Sequence, residues 1–593
     1  MHYFPSSRRF PLHALKHVAF TAIAGLICSC LYGQTPANTA AAKAYERGIA
    51  ATRTGDFAKA KAELEQAVKL GPGDADAQLA LAKVLLHQGE LDGAVAHLRT
   101  AIKLKPNLTE AHFYLGQTLS VTGQFDEAIR ELTTASRLAP DEADPHRALA
   151  RALSAQGKVP EAIGEAKIAV SLAPKSAEAL DELGSLLAQS GQLPQAAQQF
   201  QAALLIDPQY EPAHFHLGVV RLNDGHADEA QKELEHATQL NAKDGRAFYY
   251  LGDAYQAAGS REAAISAYQQ AAALVPESPS AQTKLGLMLQ RTTDVEGAAA
   301  AFRKVVALTP NDPDAHNNLG LVLMQKGEGE AAVKEFQEAV RLRPGDPGFR
   351  ANLGIAYMQL SDFDAAEQNL REALKMSPES ASSHYDLALT LKLKDQLPAA
   401  MAEMKKAIEL DPKLVDAYYT LGITLWQQGE FPVAVEQLRK AVELKPDYAE
   451  AYYTLGTVLK QMNQLPEAAR ALREAIRLQP QFAGAHTTLG AVLRQMGDDA
   501  GAESEKQLGE TLVKQKIGDQ GATFATNSGK RMLSAGDLDG AISQFRNAIQ
   551  LSPSYAQAHY QLALALSRKG EKSEAAQEYK KAAELDSKLQ PIP

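Results

Sequence analysis

The feature that most constrains this chain is a register that returns every 34 residues. The pair Leu319-Gly320 recurs at this interval, backwards as Leu285-Gly286, Leu251-Gly252, Leu217-Gly218, Leu183-Gly184 and Leu115-Gly116, and forwards as Leu353-Gly354, Leu421-Gly422, Leu455-Gly456 and Leu489-Gly490. Leu81-Ala82, Leu149-Ala150 and Leu387-Ala388 fill the remaining steps with another small residue. Twelve residues after each small residue stands an alanine, from Ala94 and Ala128 through Ala332 to Ala468 and Ala502. Self-similarity at a fixed period of this length marks a chain of stacked supersecondary units rather than one globular core. A length of 593 residues, far beyond what a single core supports, agrees with that.

The spacing inside one unit reads as a pair of helices. With His316 numbered as position 4, positions 4, 7, 8 and 11 (His316, Leu319, Gly320, Leu323) fall at i, i+3, i+4 and i+7 and form one helical stripe. Gly327 ends that helix, and a second carries Ala332, Phe336 and Ala339 on its inner stripe. Pro160, Pro194, Pro398, Pro432 and Pro466 stand just inside second helices, where a missing N–H costs little. A further proline at position 32, as in Pro344, closes the unit because the residue before a proline is pushed out of the α region. The expected fold class is therefore all-α, built from antiparallel helix pairs.

The order bulky residue, Leu-Gly, bulky residue, Ala, aromatic or Leu, Pro, carried here by His316, Leu319-Gly320, Leu323, Ala332, Phe336 and Pro344, resembles the tetratricopeptide repeat. Sixteen units fit, from the one holding Gly48 and Ala60 to the one holding Ala563 and Ala575. The resemblance implies a right-handed superhelical solenoid whose first helices line a concave groove that binds peptides or partner proteins. Residues 1–34 read as a signal peptide, 35–514 as units one to fourteen, and 515–593 as an irregular insertion followed by units fifteen and sixteen. The register slips once: the pair after Leu489-Gly490 is Ser528-Gly529, five residues late, which predicts either a lengthened helix or loop or a hinge.

A histidine returning at position 4 (His112, His146, His214, His316, His384, His486 and His559) raises the question of metal ligation. A transition-metal site needs several ligands within roughly 2 Å of one ion, whereas equivalent positions on packed helices stand about 8 to 10 Å apart. Phe248, Tyr418 and Tyr452 take the same position in other units. Packing is the expectation, with no metal, no cofactor and no catalytic residue. "GEGEAA" at 327–332 lacks the preceding strand of a dinucleotide fingerprint, and no P-loop, nucleophile elbow or zinc-protease motif is present. The chain reads as a non-enzyme.

The groove implied by the resemblance is lined by positions 2, 5, 9 and 12 of first helices. In units nine to fourteen these bring Met324, Met358, Tyr385, Lys392, Tyr419, Trp426, Tyr453, Lys460 and Arg494, the candidate peptide-binding residues. The binding hot spot is expected in units eleven to fourteen, where aromatic surface and positive charge would alternate, which suits an extended peptide with apolar or proline side chains and a nearby carboxylate. The chaperone-binding clamp, which needs lysine at position 5, is absent, since no position 5 is lysine. The asparagine ladder of protein O-linked N-acetylglucosamine transferases is matched only at Asn318, Asn352 and Asn527.

A formal charge of −10 opposes general nucleic-acid binding. The N-terminus has Arg8, Arg9 and Lys16 ahead of the apolar run Val18 to Ile27, too short to span a bilayer and suited to a secretory signal. Both cysteines lie just after it, and Ile27-Cys28-Ser29-Cys30 resembles a bacterial lipobox that would lipidate Cys30. The expected location is the periplasm or the exterior of a bacterium, or alternatively the envelope as an anchored lipoprotein. Contact with membrane would come only through that N-terminal anchor or lipid. The expected function is a scaffold for peptide segments or partner proteins; the alternative is a non-catalytic, substrate-recruiting subunit of an envelope enzyme or export complex.

Overall fold

Each 34-residue unit folds where its punctuation dictates. In the computed structural model, Asp312 caps the helix Pro313–Lys326 by accepting from the backbone N–H of Asp314, and Pro313 occupies its first turn. Gly327 ends it in the left-handed region, φ 83°, which a side chain would disfavour. The second helix, Gly329–Leu342, then returns against the first. Leu319, Gly320 and Leu323 of the first helix and Ala332, Phe336 and Ala339 of the second are buried. A Cβ on Gly320 would stand 2.7 Å from the Phe336 ring, so with phenylalanine opposite it a side chain here would force the ring to shift.

The structure describes residues 36–292, 294–586 and 589. The expected signal segment 1–34, with Cys30, lies outside them. Among the described residues every regular element is a helix, and none is long and apolar enough to cross a membrane. The chain divides into two compact units, 1–310 and 311–593. The first holds the helices from Pro36–Arg53 to Val295–Leu308, which make repeats one to eight. The second holds those from Pro313–Lys326 to Lys572–Leu585, repeats nine to sixteen. Within each unit a helix packs on its partner in the same repeat and on the next helix in sequence, and first helices of successive repeats touch. The alanines at position 20 mark the crossings: Ala60, Ala162, Ala264, Ala332, Ala434 and Ala541 are all fully buried.

The slipped register resolves as a lengthened helix. Asp499–Ser534 is one helix of 36 residues, spanning about 54 Å at 1.5 Å per residue. It fuses the second helix of repeat fourteen with the first of repeat fifteen. The irregular insertion expected from 515 is thus regular helix. Lys514 at position 32 replaces the usual proline and so permits propagation, but this alone does not fuse helices, since repeat six has Ala242 there and its second helix still ends at Leu240. From Glu510 to Gly521 no residue is buried, and Val513, Ile517 and Phe524 are exposed.

Candidate functional site

The position-4 histidines are held by hydrogen bonds as well as by packing. In all seven, Nδ1 meets the carboxylate of a glutamate 19 residues on: Glu131, Glu165, Glu233, Glu335, Glu403, Glu505 and Glu578, at 2.5 to 2.7 Å. In His112, His214, His384, His486 and His559 the other ring nitrogen meets a proline carbonyl six residues back, at 2.9 to 3.1 Å. With both ring nitrogens of these five so engaged, none offers a lone pair to a metal. Among the described residues no three histidine, cysteine, aspartate or glutamate side chains are grouped to hold an ion. The pairing was present in the sequence: every repeat with histidine at position 4 has glutamate at position 23. In repeat two the polarity is exchanged, Gln78 at position 4 meeting His97 at position 23 at 2.7 Å.

Serine, histidine and aspartate do meet in the first unit. Ser185 Oγ and Asp181 Oδ1 both approach the same atom, Nδ1 of His216, at 3.5 and 2.7 Å. A proton relay needs the two on opposite ring nitrogens, so this arrangement does not activate the serine.

First helices of successive repeats are tied directly by side chains 35 residues apart. Arg147 reaches Glu182, Asn352 donates to Asn317 at 2.8 Å, Tyr385 Oη bonds Thr420 Oγ1 at 3.0 Å and Trp426 Nε1 donates to Gln461 Oε1 at 2.6 Å. Positions 5 and 12 of one repeat therefore meet positions 6 and 13 of the next, forming a continuous face within each unit.

On this face in the second unit, the candidate residues are engaged to different degrees. Met324, Met358, Tyr385, Lys392, Tyr419, Trp426, Tyr453 and Lys460 are half-buried, while Arg494 is exposed. Tyr419 rests on Tyr448 and Tyr453 on Phe482, with ring centroids 4.8 and 4.7 Å apart, so these tyrosines also fasten the loops that precede first helices. Burial pushes the Tyr385 hydroxyl pKa up. Arg494 pairs with Glu503 at 3.5 Å, which offsets the charge it was expected to offer. Among the described residues Lys392 and Lys460 have no ion-pair partner. Burial pushes the Lys392 amine down.

Met358, Leu389, Lys392, Leu393 and Gln427 come together around a cavity of about 610 Å³ contributed by repeats ten, eleven and twelve. The turn after Leu393 closes one side with Asp395 and Leu397. Leu389 stands at position 9, one of the expected groove positions, whereas Leu393 and Gln427, at position 13, were not expected on the groove. The signal for Leu393 lay in the repeat pattern: position 13 is Gln325, Gln359, Gln427, Gln461 and Gln495 in the neighbouring repeats and leucine only here.

Comparison with known families agrees with this anatomy. The tetratricopeptide repeat profile matches residues 40–109, 215–281, 283–347 and 352–414. Other profiles of the same repeat match 85–153, 122–183, 184–225, 425–463, 449–482, 529–570 and 556–589. The chain belongs to the tetratricopeptide repeat family. None of the curated proteins matches it. Among solved structures, this tetratricopeptide repeat chain is similar to yeast Tom70, at 18% identity over 81% of this chain and 97% of that one, TM-score 0.34. It is likewise similar to the APC/C hetero-tetramer Cut9-Hcn1, at 17% identity over 83% and 96%, TM-score 0.32. A third likeness is to MamA from Desulfovibrio magneticus RS-1, at 29% identity over 29% and 96%, TM-score 0.27.

Among the described residues three tetratricopeptide turns depart from the glycine rule at position 15: Ser361, Asp395 and Asn463 take left-handed φ values of 64°, 59° and 60°. All three lie in repeats that carry the candidate face.

Proposed function

We propose that this tetratricopeptide repeat protein is a non-catalytic interaction scaffold of the bacterial cell envelope, which binds extended peptide segments of partner proteins along the first-helix face of repeats nine to fourteen. The observation that carries this reading is the face itself: half-buried Met358, Leu389, Ile423 and Trp426 run beside Lys392 and Lys460, two cations with no counter-ion among the described residues. Apolar area of this kind gains when covered, and buried aromatic side chains such as Trp426 dominate binding hot spots. The repeat spacing suits an extended ligand. First helices that touch stand about 8 to 10 Å apart, which an extended or polyproline chain covers in about three residues. Every third side chain of the ligand would meet position 12 of the next repeat.

Envelope location is inferred from the basic start and the Val18 to Ile27 run, with cleavage between Cys30 and Asn38. Intact-mass analysis of envelope-fraction protein should show a chain that begins in that interval, with or without a lipid on Cys30. A full-length cytoplasmic species contradicts export.

The binding reading is tested by cross-linking captured partners to the full-length protein. Cross-links should concentrate in first helices of repeats nine to fourteen and diminish in Trp426→Ala. Cross-links confined to second helices contradict it.

A further inference from the structure

At the cavity of repeats ten to twelve, repeat eleven differs from the two flanking repeats in two side chains. Position 12 is Met358 and Trp426 in the flanking repeats and Lys392 here; position 13 is Gln359 and Gln427 in the flanking repeats and Leu393 here. The exchange puts one cation against an apolar wall. Leu393 is 56% exposed, an unusual degree for a leucine, and Leu389 and Met358 are half-buried on either side. The volume of about 610 Å³ is within the range of about 300 to 1,000 Å³ common to ligand clefts.

Lys392 is the unusual member. It is half-buried with no carboxylate within ion-pair distance among the described residues, and removal from water disfavours its charged form. An ammonium so placed gains when a ligand supplies the missing anion, because the charge-assisted bond forms in a site already partly dry. The acidic residue of the lining, Asp395, is exposed on the turn, where water screens its field. The face continues past the cavity on both sides, through Met324 and Ile355 in repeats nine and ten and through Ile423 and Thr457 in repeats twelve and thirteen. A ligand crossing the cavity is therefore in mid-segment there, not at its end.

Resting on the reading of this face as peptide-binding, we propose that the cavity is the subsite for an internal acidic residue of the bound segment, a glutamate or aspartate between apolar residues, with Lys392 Nζ as its counter-ion and Leu389, Leu393 and Met358 covering the apolar neighbours. The subsite opposes a slide of the ligand by one repeat: that shift would carry the acidic side chain from Lys392 to Met358 or Trp426 at the same position, and the next cation, Lys460, lies two repeats on beside Gln461 rather than a leucine.

The test is an immobilised array of nine-residue peptides, N-acetylated and C-amidated, with central Leu-Glu-Leu or Leu-Gln-Leu and varied flanks, plus Leu-Gln-Leu versions with a free C-terminal carboxylate. It is probed with labelled full-length protein and with Lys392→Met and Leu393→Gln. The wild type should retain the glutamate peptides about tenfold better than the glutamine ones, the size of one charge-assisted hydrogen bond. Lys392→Met should lose that preference while still retaining the glutamine peptides, and Leu393→Gln should weaken both. Equal retention of glutamate and glutamine peptides by the wild type overturns the subsite and leaves the peptide-binding face standing. A preference for free C-termini alone overturns the assignment to an internal side chain. Retention of no peptide by any form overturns the face and the subsite together.

Discussion

His112 holds Glu131 on one ring nitrogen, 2.5 Å from Nδ1 to Oε2, and the carbonyl of Pro106 on the other, 2.9 Å from Nε2. An ionised carboxylate and a carbonyl are both acceptors, so only the doubly protonated ring satisfies both. The Glu131 bond raises the His112 pKa; burial and Arg137 oppose it, and the Pro106 bond reinforces it. One clamp thus ties the start of a first helix to its own second helix and to the turn before it.

A raised folded-state pKa means the folded protein binds the proton more tightly than the unfolded chain. The clamp's contribution is then fully present below the ordinary histidine value of about 6.5 and is lost as pH rises through the raised folded value. Amide exchange in repeat three, corrected for intrinsic rates, should show more protection at pH 6 than at pH 8. His112→Gln should remove the difference. An unchanged pH dependence in that variant would show that the proton is bound elsewhere.

Asp386 gives a second pH signature. Its carboxyl is pushed up to about 6 by burial, with no compensating partner. Its neutral form is the one the fold accommodates, so stability is highest at low pH and falls as pH rises through about 6. Asp386→Asn should stabilise repeat eleven at pH 8 and change little at pH 4, read by local exchange. Destabilisation at pH 8 would mean that the carboxylate has a favourable partner.

The helix pairs, their order and the close crossings were legible in the sequence because they depend on local rules: glycine at a left-handed turn, proline at a helix start, a small residue where two helices meet. Ala332, Leu319 and Phe336 stand where the period places them. The glutamate clamps were legible too, but only by asking what accompanies position 4 at position 23. The contacts between Trp426 and Gln461 and between Tyr385 and Thr420 were not, because they depend on how far one repeat is turned against the next. The cavity was equally hidden, since it is assembled from the ends of three helices and one turn. Fusion of two helices at 499–534 is permitted by the missing proline at Lys514 but was not dictated by it, because repeat six lacks that proline at Ala242 and still breaks, and the same five extra residues would have suited a loop.

Ala434 is fully buried at the helix crossing of repeat twelve. Ala434→Leu should overpack it at a cost of about 1 to 3 kcal/mol. Because a repeat array is stabilised by neighbouring interfaces, protection should fall in repeats eleven to thirteen and persist elsewhere. Uniform loss along the chain contradicts that local architecture.

Ser361 sits in the left-handed region, φ 64°, at the position where twelve other repeats place a glycine with positive φ. Relief of about 1 to 2 kcal/mol of backbone strain, less the added freedom of glycine in the unfolded chain, should leave Ser361→Gly more stable by up to about 1 kcal/mol. Thermal or denaturant unfolding of the second unit's least stable transition reports it. A lower midpoint would show that the serine side chain holds the turn.

The account rests on ligand contact at the first-helix face of repeats nine to fourteen, and Trp426 reports on it directly. It is the only tryptophan in the chain, half-buried on that face and bonded through Nε1 to Gln461. Full-length protein should be titrated with a peptide retained on the array while tryptophan emission is followed, and the affinity repeated for Trp426→Ala by polarisation of the labelled peptide. The predicted result is a saturable shift in emission and a loss of about 2 kcal/mol or more in the variant. Binding with unchanged emission and unchanged affinity in Trp426→Ala would contradict it and place the ligand on another surface.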